Sequence, residues 1–351
     1  GGGASSGGSG TGPGAVWHHK AGGIGRPSQP GSALWDHGRY WSHSYAQRIF
    51  EDADPDIVHL VTDRAVYRTY TDLDSDGTYD EVDPASDYRN LVRTASGWTL
   101  ADLNGIVTEF DLDGRWISTT DRHSNAKTAT YSGSELQSVT MPDGRREDFT
   151  YLGGKVRTIT EVGIDDTTTR TWTYTWSGDD LERIDCPDGT ALEYLYDDPA
   201  HAGYLTRVIL IGMDGTSERV TAAFAYDAQG NTVQMWRGAV DFASGVDRWS
   251  FAFDDPVVPT VTTITDPLGN TFTRTWAPRT FVTDKAKLVS VDGDCPTCGL
   301  GPNAQLFYED PANPFRPTRE LDGNGNETVM VYDTDGRMTS RTEAFGEPVE
   351  R

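Results

Sequence analysis

Six oxygen-bearing residues alternate through one short stretch, D-L-D-S-D-G-T-Y-D-E-V-D, residues 72–83. Asp72, Asp74, Asp76, Thr78, Asp80 and Asp83 fall at its first, third, fifth, seventh, ninth and twelfth places, and Gly77 stands sixth, where a sharp bend is needed. That spacing suits calcium, a hard cation that collects six to eight oxygens from a tight loop. The flanking runs, A-V-Y-R-T-Y-T and Y-R-N-L-V, read as strands, so the loop is not expected to be an EF-hand. An acidic hairpin tip is the plainer alternative. The stretch L-D-G-N-G-N-E, 321–327, repeats the alternation but lacks glycine at the sixth place.

The chain holds three cysteines, Cys186, Cys295 and Cys298. Cys295 and Cys298 form a C-x-x-C and are read as a local disulfide. Two other readings stay open: reduced thiols, or half of a zinc site that Cys186 and a histidine would complete. Zinc is disfavoured because no second half is present in sequence. His18, His19, His37 and His43 lie among aromatic residues in W-H-H-K and L-W-D-H-G-R-Y-W-S-H-S-Y. They lack a firm ligand spacing, and packing over a sheet end is the expected role. No nucleophile elbow, phosphate loop or H-E-x-x-H is present, and 54 acidic residues make chance carboxylate pairs inevitable. No enzymatic activity is expected.

The elements that must position these residues are punctuated by turns. D-x-x-G, D-G and N-G signals recur at Gly77, Gly105, Gly114, Gly144, Gly189, Gly230, Gly269, Gly325 and Gly336, among others. Between residues 105 and 153 they step by about ten residues, if Ser124-Asn125 fills one missing slot. Threonine, valine, tyrosine and isoleucine fill the runs between. This pattern predicts an all-β chain of consecutive antiparallel hairpins over 60–351, in a curved or spiral sheet. Helical periodicity is scarce. L-Q-S-V, V-R-T-I, L-E-R-I and L-T-R-V each set two apolar residues three apart, which in a regular strand point to opposite faces. Either both faces are covered or a bulge re-aims one residue.

G-W-T-L-A-D-L-N-G-I-V-T-E-F-D-L-D-G-R-W-I-S-T-T-D (97–121), Y-S-G-S-E-L-Q-S-V-T-M-P-D-G-R-R-E-D-F-T-Y-L-G-G-K-V-R-T-I-T-E (131–161), F-A-Y-D-A-Q-G-N-T-V-Q (224–234), I-T-D-P-L-G-N-T-F-T-R-T-W (264–276) and V-Y-D-T-D-G-R-M-T-S-R-T-E-A-F-G-E (331–347) share one pattern. It resembles the RHS, or YD-repeat, family: Tyr-Asp, two residues, Gly-Arg or Gly-Asn, Leu-x-x-Val, then Asp-Pro-x-Gly. G-R-Y-W-S-H-S-Y-A-Q-R-I (38–49) is similar to the segment that opens such arrays. The resemblance spans roughly residues 35–351; T-T-T-R-T-W-T-Y-T-W (167–176) and 277–320 depart from it. It implies a spiral β-sheet of the kind found in teneurin shells and toxin-complex shells. A closed shell is not expected from so short an array. No self-cleavage core is found, so no such residues carry over.

The expected organisation is a flexible Gly/Ser leader (1–14), an aromatic and histidine-rich opening segment (15–60) and the repeat array (61–351), which stops inside a repeat. The first residue is Gly rather than Met, as in a processed chain or a fragment. A net charge of −24 disfavours nucleic acid and anionic lipid as partners. No run is long enough for a membrane span. The expected function is an extracellular or cell-surface structural array, part of a shell, stalk or filament. A surface adhesin that recognises a glycan or protein is the alternative. The last strand edge, left open, is expected to take more chain or a second copy, for which the leader of a neighbouring subunit is one cover.

Overall fold

β-branched and aromatic residues suit a pleated surface, and glycine or aspartate between them suits a reversal of the chain. The computed structural model follows that logic throughout. It describes residues 17–19, 41–62, 67–72, 74–81, 89–277, 287–294, 302–334 and 336–343. Among these there is no helix. From Arg48–Glu51 to Met338–Glu343, 26 strands follow one another in one sheet in sequence order. Wherever the ladder is described, each pairs antiparallel with its neighbour. Among the described residues no pairing joins Met338–Glu343 to Arg48–Glu51, and the sheet is not closed. Among the described residues an isolated bridge, Arg48 to Arg115, links its beginning to a later turn. The leader (1–14), the C-x-x-C and Asp83 lie outside the described residues.

One turn recurs with constant chemistry. In Asp102–Ile106 the chain reverses over five residues: the Asp102 amide donates to the Ile106 carbonyl at 2.9 Å and the Gly105 amide to the Asp102 carbonyl at 3.1 Å. One Asp102 carboxylate oxygen accepts the amides of Asn104 and Ile106, both at 2.8 Å. Asp111, Asp121, Asp227, Asp266 and Asp322 do the same in their own turns. Where asparagine closes the turn, at Asn125, Asn231, Asn270 and Asn326, its side-chain amide binds the other carboxylate oxygen. Ser124 does fill the glycine slot, with φ of 65°. When the first place passes to Met141 or Cys186, the carboxylate moves to the third, where Asp143 and Asp188 accept the amides of Arg145 and Thr190.

Three of the four three-apart apolar pairs are resolved by bulges. Tyr131 pairs with Leu136 and Thr130 with Ser138, so Gln137 is the extra residue. Arg157 and Glu182 are extra in the same sense. Each bulge turns the next apolar residue back, and Leu136 with Val139, Val156 with Ile159, and Leu181 with Ile184 are all buried. The opposite face carries hydroxyls that bond across strands: Thr150 to Thr158 at 2.6 Å, Thr130 to Ser138 at 2.6 Å and Thr160 to Thr171 at 3.0 Å.

The residues fall into two compact units, Gly1–Asp80 with Arg89–Ala223, and Glu81–Tyr88 with Phe224–Arg351. In the first, a two-stranded piece, Trp17–His19 paired with Trp41–His43, contributes aromatic residues to the core. Trp41 meets Tyr194 edge-on at 4.9 Å, His43 stacks on Phe149 at 6.1 Å, and Tyr45 stacks on Trp116 at 5.5 Å. In the second, Ile264, Phe272 and Val291 form a core bordered by Trp249, Phe251 and Leu288.

The turn carboxylates make the array acid-sensitive. The Ser217 hydroxyl and nearby amides hold the Asp214 carboxyl down to about 2, and the Thr260 hydroxyl with amides does the same for Asp254. The side-chain amides of Asn125 and Asn270 lower Asp121 and Asp266. A depressed folded value contributes stability that is present above the unfolded value, about 3.9 for aspartate, and lost as pH falls through the folded one. Melting temperature should therefore fall continuously from about pH 4 to about pH 2. A flat profile over that window would contradict the role given to these turns.

Candidate functional site

The acidic loop lies between the strands Tyr67–Thr71 and Thr78–Glu81. The flanking strands agree with a β-framed loop, not an EF-hand. One carboxylate oxygen from each of Asp72, Asp74 and Asp76 lies within 4.8 Å of the others. Asp72 is buried, while Asp74, Asp76 and Asp80 are exposed. Thr78 and Asp80 occupy the following strand. Thus the first three residues of the predicted set are brought together.

Asp72 also has a structural task. Its Oδ1 accepts the Asp76 amide at 3.2 Å and its Oδ2 the Gly77 amide at 2.9 Å, while Asp76 Oδ1 accepts the Thr78 amide at 2.7 Å. The Asp72 amide in turn donates to the Asp56 carbonyl at 2.9 Å. The loop is held by the same carboxylate-to-amide chemistry as the other turns. A carboxylate oxygen has a second lone pair, so these bonds leave room for a cation. Asp72→Ala should cost about 1–3 kcal/mol, because it removes the acceptor of two amides at a buried position. Asp74→Ala, at an exposed position, should cost under about 0.5 kcal/mol in calcium-free buffer. Urea melts of the two variants in chelator test that ordering.

The second acidic alternation, 321–327, is an ordinary array turn, with Asp322 bound by the amides of Asn324 and Asn326 and by the Asn326 side chain. Cys186 is a free, half-buried thiol at a turn-opening position, and burial pushes its pKa up. That opposes a thiolate role there. Among the described residues no group of three His, Cys, Asp or Glu ligands gathers around it. His43 is buried, and its Nδ1 accepts the Tyr45 amide at 3.3 Å. The packing role expected for that histidine is the one found. His18 and His19 lie in a strand without described side chains, and His37 is outside the described residues.

Sequence reading missed two features. The first is a hydrogen-bonded line through Asp52, His59 and Thr69. His59 Nε2 lies 3.0 Å from Asp52 Oδ2 and Nδ1 lies 3.1 Å from Thr69 Oγ1. This is the order of acid, base and hydroxyl used in nucleophilic catalysis. However, His59 and Thr69 are direct partners in one ladder, as a cross-strand tie requires. His59 inside the apolar run I-V-H-L-V, and Thr69 between Arg68 and Tyr70, gave no sign of it.

The second is a tyrosine stitch. The hydroxyls of Tyr131, Tyr151, Tyr196 and Tyr332 donate to the carbonyls of Trp116, Leu136, Leu181 and Pro317. Each carbonyl lies 15 residues earlier. Tyr308 reaches back 20 residues to Leu288, and the Trp176 indole the same distance to Val156. The recurrence of tyrosine just before a turn was the available signal.

No family model matches the chain, and no curated protein matches it in sequence. Among solved structures, it aligns with TcdB2-TccC3-TEV at 11% identity over 83% of this chain and 19% of that one, with a TM-score of 0.33. Another TcdB2-TccC3 structure aligns at 12% identity over 86% and 22%, with a TM-score of 0.32. A porin-like protein from Bacteroides uniformis aligns at 13% identity over 57% and 91%, with a TM-score of 0.28. The chain spans about a fifth of the length of the TcdB2-TccC3 chains. At such scores the alignments carry no argument, and the fold rests on the strand pairings themselves.

Proposed function

We propose that this chain is a structural, non-catalytic β-array of the RHS, or YD-repeat, type, acting outside the cell as part of a shell, stalk or filament. Repetition carries this reading. One carboxylate-capped turn recurs from Asp102 to Arg337, and one tyrosine stitch recurs from Trp116 to Tyr332. Such bonds tie each hairpin to the one before it, which is how a one-dimensional repeat gains stiffness. No helix among the described residues is long and apolar enough to cross a membrane. Every residue of the strand Met338–Glu343 is exposed. That exposure supports self-association, or further strands of the same polypeptide, along this edge.

Native mass measurement over a concentration series, with electron microscopy of the same samples, tests the assembly. Ordered particles or filaments are expected. A chain that stays monomeric at every concentration would remove the assembly role, and turnover in a hydrolase panel would remove the non-catalytic one.

Within this reading the loop from Asp72 onward holds calcium and stiffens the first hairpins. The convergence of three carboxylate oxygens supports it. The ion would relieve their mutual repulsion and bind only the folded chain, which raises stability by mass action. Saturating calcium, at about 100 times its dissociation constant, should add about 2.7 kcal/mol relative to chelator. Asp74→Ala should abolish that difference. Equal melting midpoints in calcium and chelator for the unaltered chain would reject the site.

A further inference from the structure

Two strands of the first unit part company and leave a cleft. Lys155–Val162 and Thr169–Ser177 pair from Val162 opposite Thr169 to Thr158 opposite Thr173, and the ladder stops there. Two side chains bridge the gap beyond. Arg157 Nη1 donates to the Tyr174 carbonyl at 2.8 Å, and the Trp176 indole donates to the Val156 carbonyl at 2.8 Å. The cleft holds about 260 Å³ and opens to solvent. Lys155, Arg157, Tyr174, Thr175 and Trp176 line it, with the exposed Leu152 at its border.

Its charge runs against that of the molecule. The chain carries a net charge of −24, yet this lining holds two cations and no carboxylate. Asp179 neutralises part of the Lys155 charge at 2.8 Å and is not itself in the lining. Guanidinium has five N–H donors and ammonium three. One of each is engaged by the bonds above, so donors remain for an anion.

We propose that this cleft binds one acidic sugar residue of the hexuronate class. Its carboxylate would pair with Arg157, assisted by Lys155, and its hydroxyls would meet Thr175 and the exposed backbone of Gly153. The apolar face of the pyranose ring would lie against Trp176, an amphipathic surface suited to a ligand with one greasy and one wet side. A small carboxylate would leave most of the cleft empty. An acidic peptide side chain would supply the charge but no disc-shaped apolar face. The anionic surroundings disfavour heavily sulfated chains and favour a unit of single charge. The splay and its bridge belong to the array, recurring where the hydroxyls of Tyr131 and Tyr151 reach the carbonyls of Trp116 and Leu136 beyond their ladders, and the two cations are what this pair adds to it.

The test is titration of the full chain with glucuronate, followed by tryptophan fluorescence and by saturation transfer to the sugar ring protons. Glucose and acetate serve as separate probes of the ring and the charge. Glucuronate should bind at least about tenfold more tightly than either, a difference of about 1.4 kcal/mol. Added salt should weaken it. Lys155→Ala, which leaves the Arg157 bridge in place, should weaken glucuronate at least about threefold. Arg157→Met should abolish it, and its melting curve reports whether the bridge was also structural. No binding at about 50 mM glucuronate, well beyond the millimolar affinity of a small site, overturns the proposal. Equal binding of acetate would reduce the cleft to a simple anion site, equal binding of glucose would remove the role of charge, and an unchanged Lys155→Ala would place the sugar elsewhere.

Discussion

Gly114→Ala should destabilise the chain by about 2–5 kcal/mol, while Gly133→Ala should cost about 1–2 kcal/mol. Both glycines sit at hairpin turns with positive φ, 74° and 60°. Alanine at either place pays the penalty of left-handed backbone. The difference lies in what surrounds them. A Cβ on Gly133 would meet nothing within 4 Å, whereas one on Gly114 would lie 2.0 Å from the Ile49 carbonyl oxygen. The strand Arg48–Glu51 would have to move away. In doing so it would lose the bond from the Ile49 amide to the Gly114 carbonyl, 2.8 Å, and the Arg48–Arg115 bridge. These contacts tie the first strand to a turn 65 residues later. Urea melts of the two variants give the comparison, and hydrogen exchange should show lost protection across Ile57–Val61, the partner of that strand. Equal costs at the two glycines would mean that the approach at Gly114 is not under strain.

The pairing of neighbouring strands could be read from the sequence because it is local. Turn residues announce each reversal, and a hairpin needs nothing beyond its own two strands and its turn. Even Ser124, which replaces a glycine, was placed by its spacing, since its neighbours Asp121 and Asn125 supply the rest of the turn. The bulges were legible only as a choice. Leu136 and Val139 are incompatible with one face of a regular strand, yet the sequence does not say whether the strand or its environment yields. Long-range contacts carried weaker signals. Nothing near Gly114 marks it as different from Gly133, because the atom it must avoid belongs to Ile49. The acidic loop was legible as a convergence of oxygens, but not as a turn in which Asp72 already serves two amides. Alternating carboxylates serve ion binding and turn capping equally well. Burial and its two amide donors separate Asp72 from Asp74 and Asp76.

The aromatic opening segment should be the most costly part of the first unit to erode. Trp41→Ala and Tyr45→Ala should each destabilise by about 3–5 kcal/mol, as expected for large aromatic residues removed from a packed core. Trp41 is 1% exposed and Tyr45 is 3% exposed. Trp41 meets the Tyr194 ring, and its indole donates to the Tyr196 hydroxyl at 2.9 Å. That hydroxyl donates onward to Leu181 at 2.7 Å, so the substitution also loosens one of the tyrosine stitches. Tyr45 serves other strands: it stacks on Trp116, meets Phe149 edge-on at 6.2 Å, and lies under the Lys127 ammonium at 5.3 Å. Because Trp41 and Tyr45 share none of these partners, their costs should add to within about 0.5 kcal/mol in the double variant. His43 and Tyr45 both rest on Phe149, and the Tyr45 amide donates to His43 Nδ1. Their double variant should therefore cost less than the sum. Melts of the single and double variants measure both couplings. If the segment only decorated the sheet, all of these variants would melt with the unaltered chain. If it is the second layer of the core, as its burial requires, protection should fall first in Trp116–Thr120, Arg146–Leu152 and Ala191–Leu195, the strands on which these rings lie.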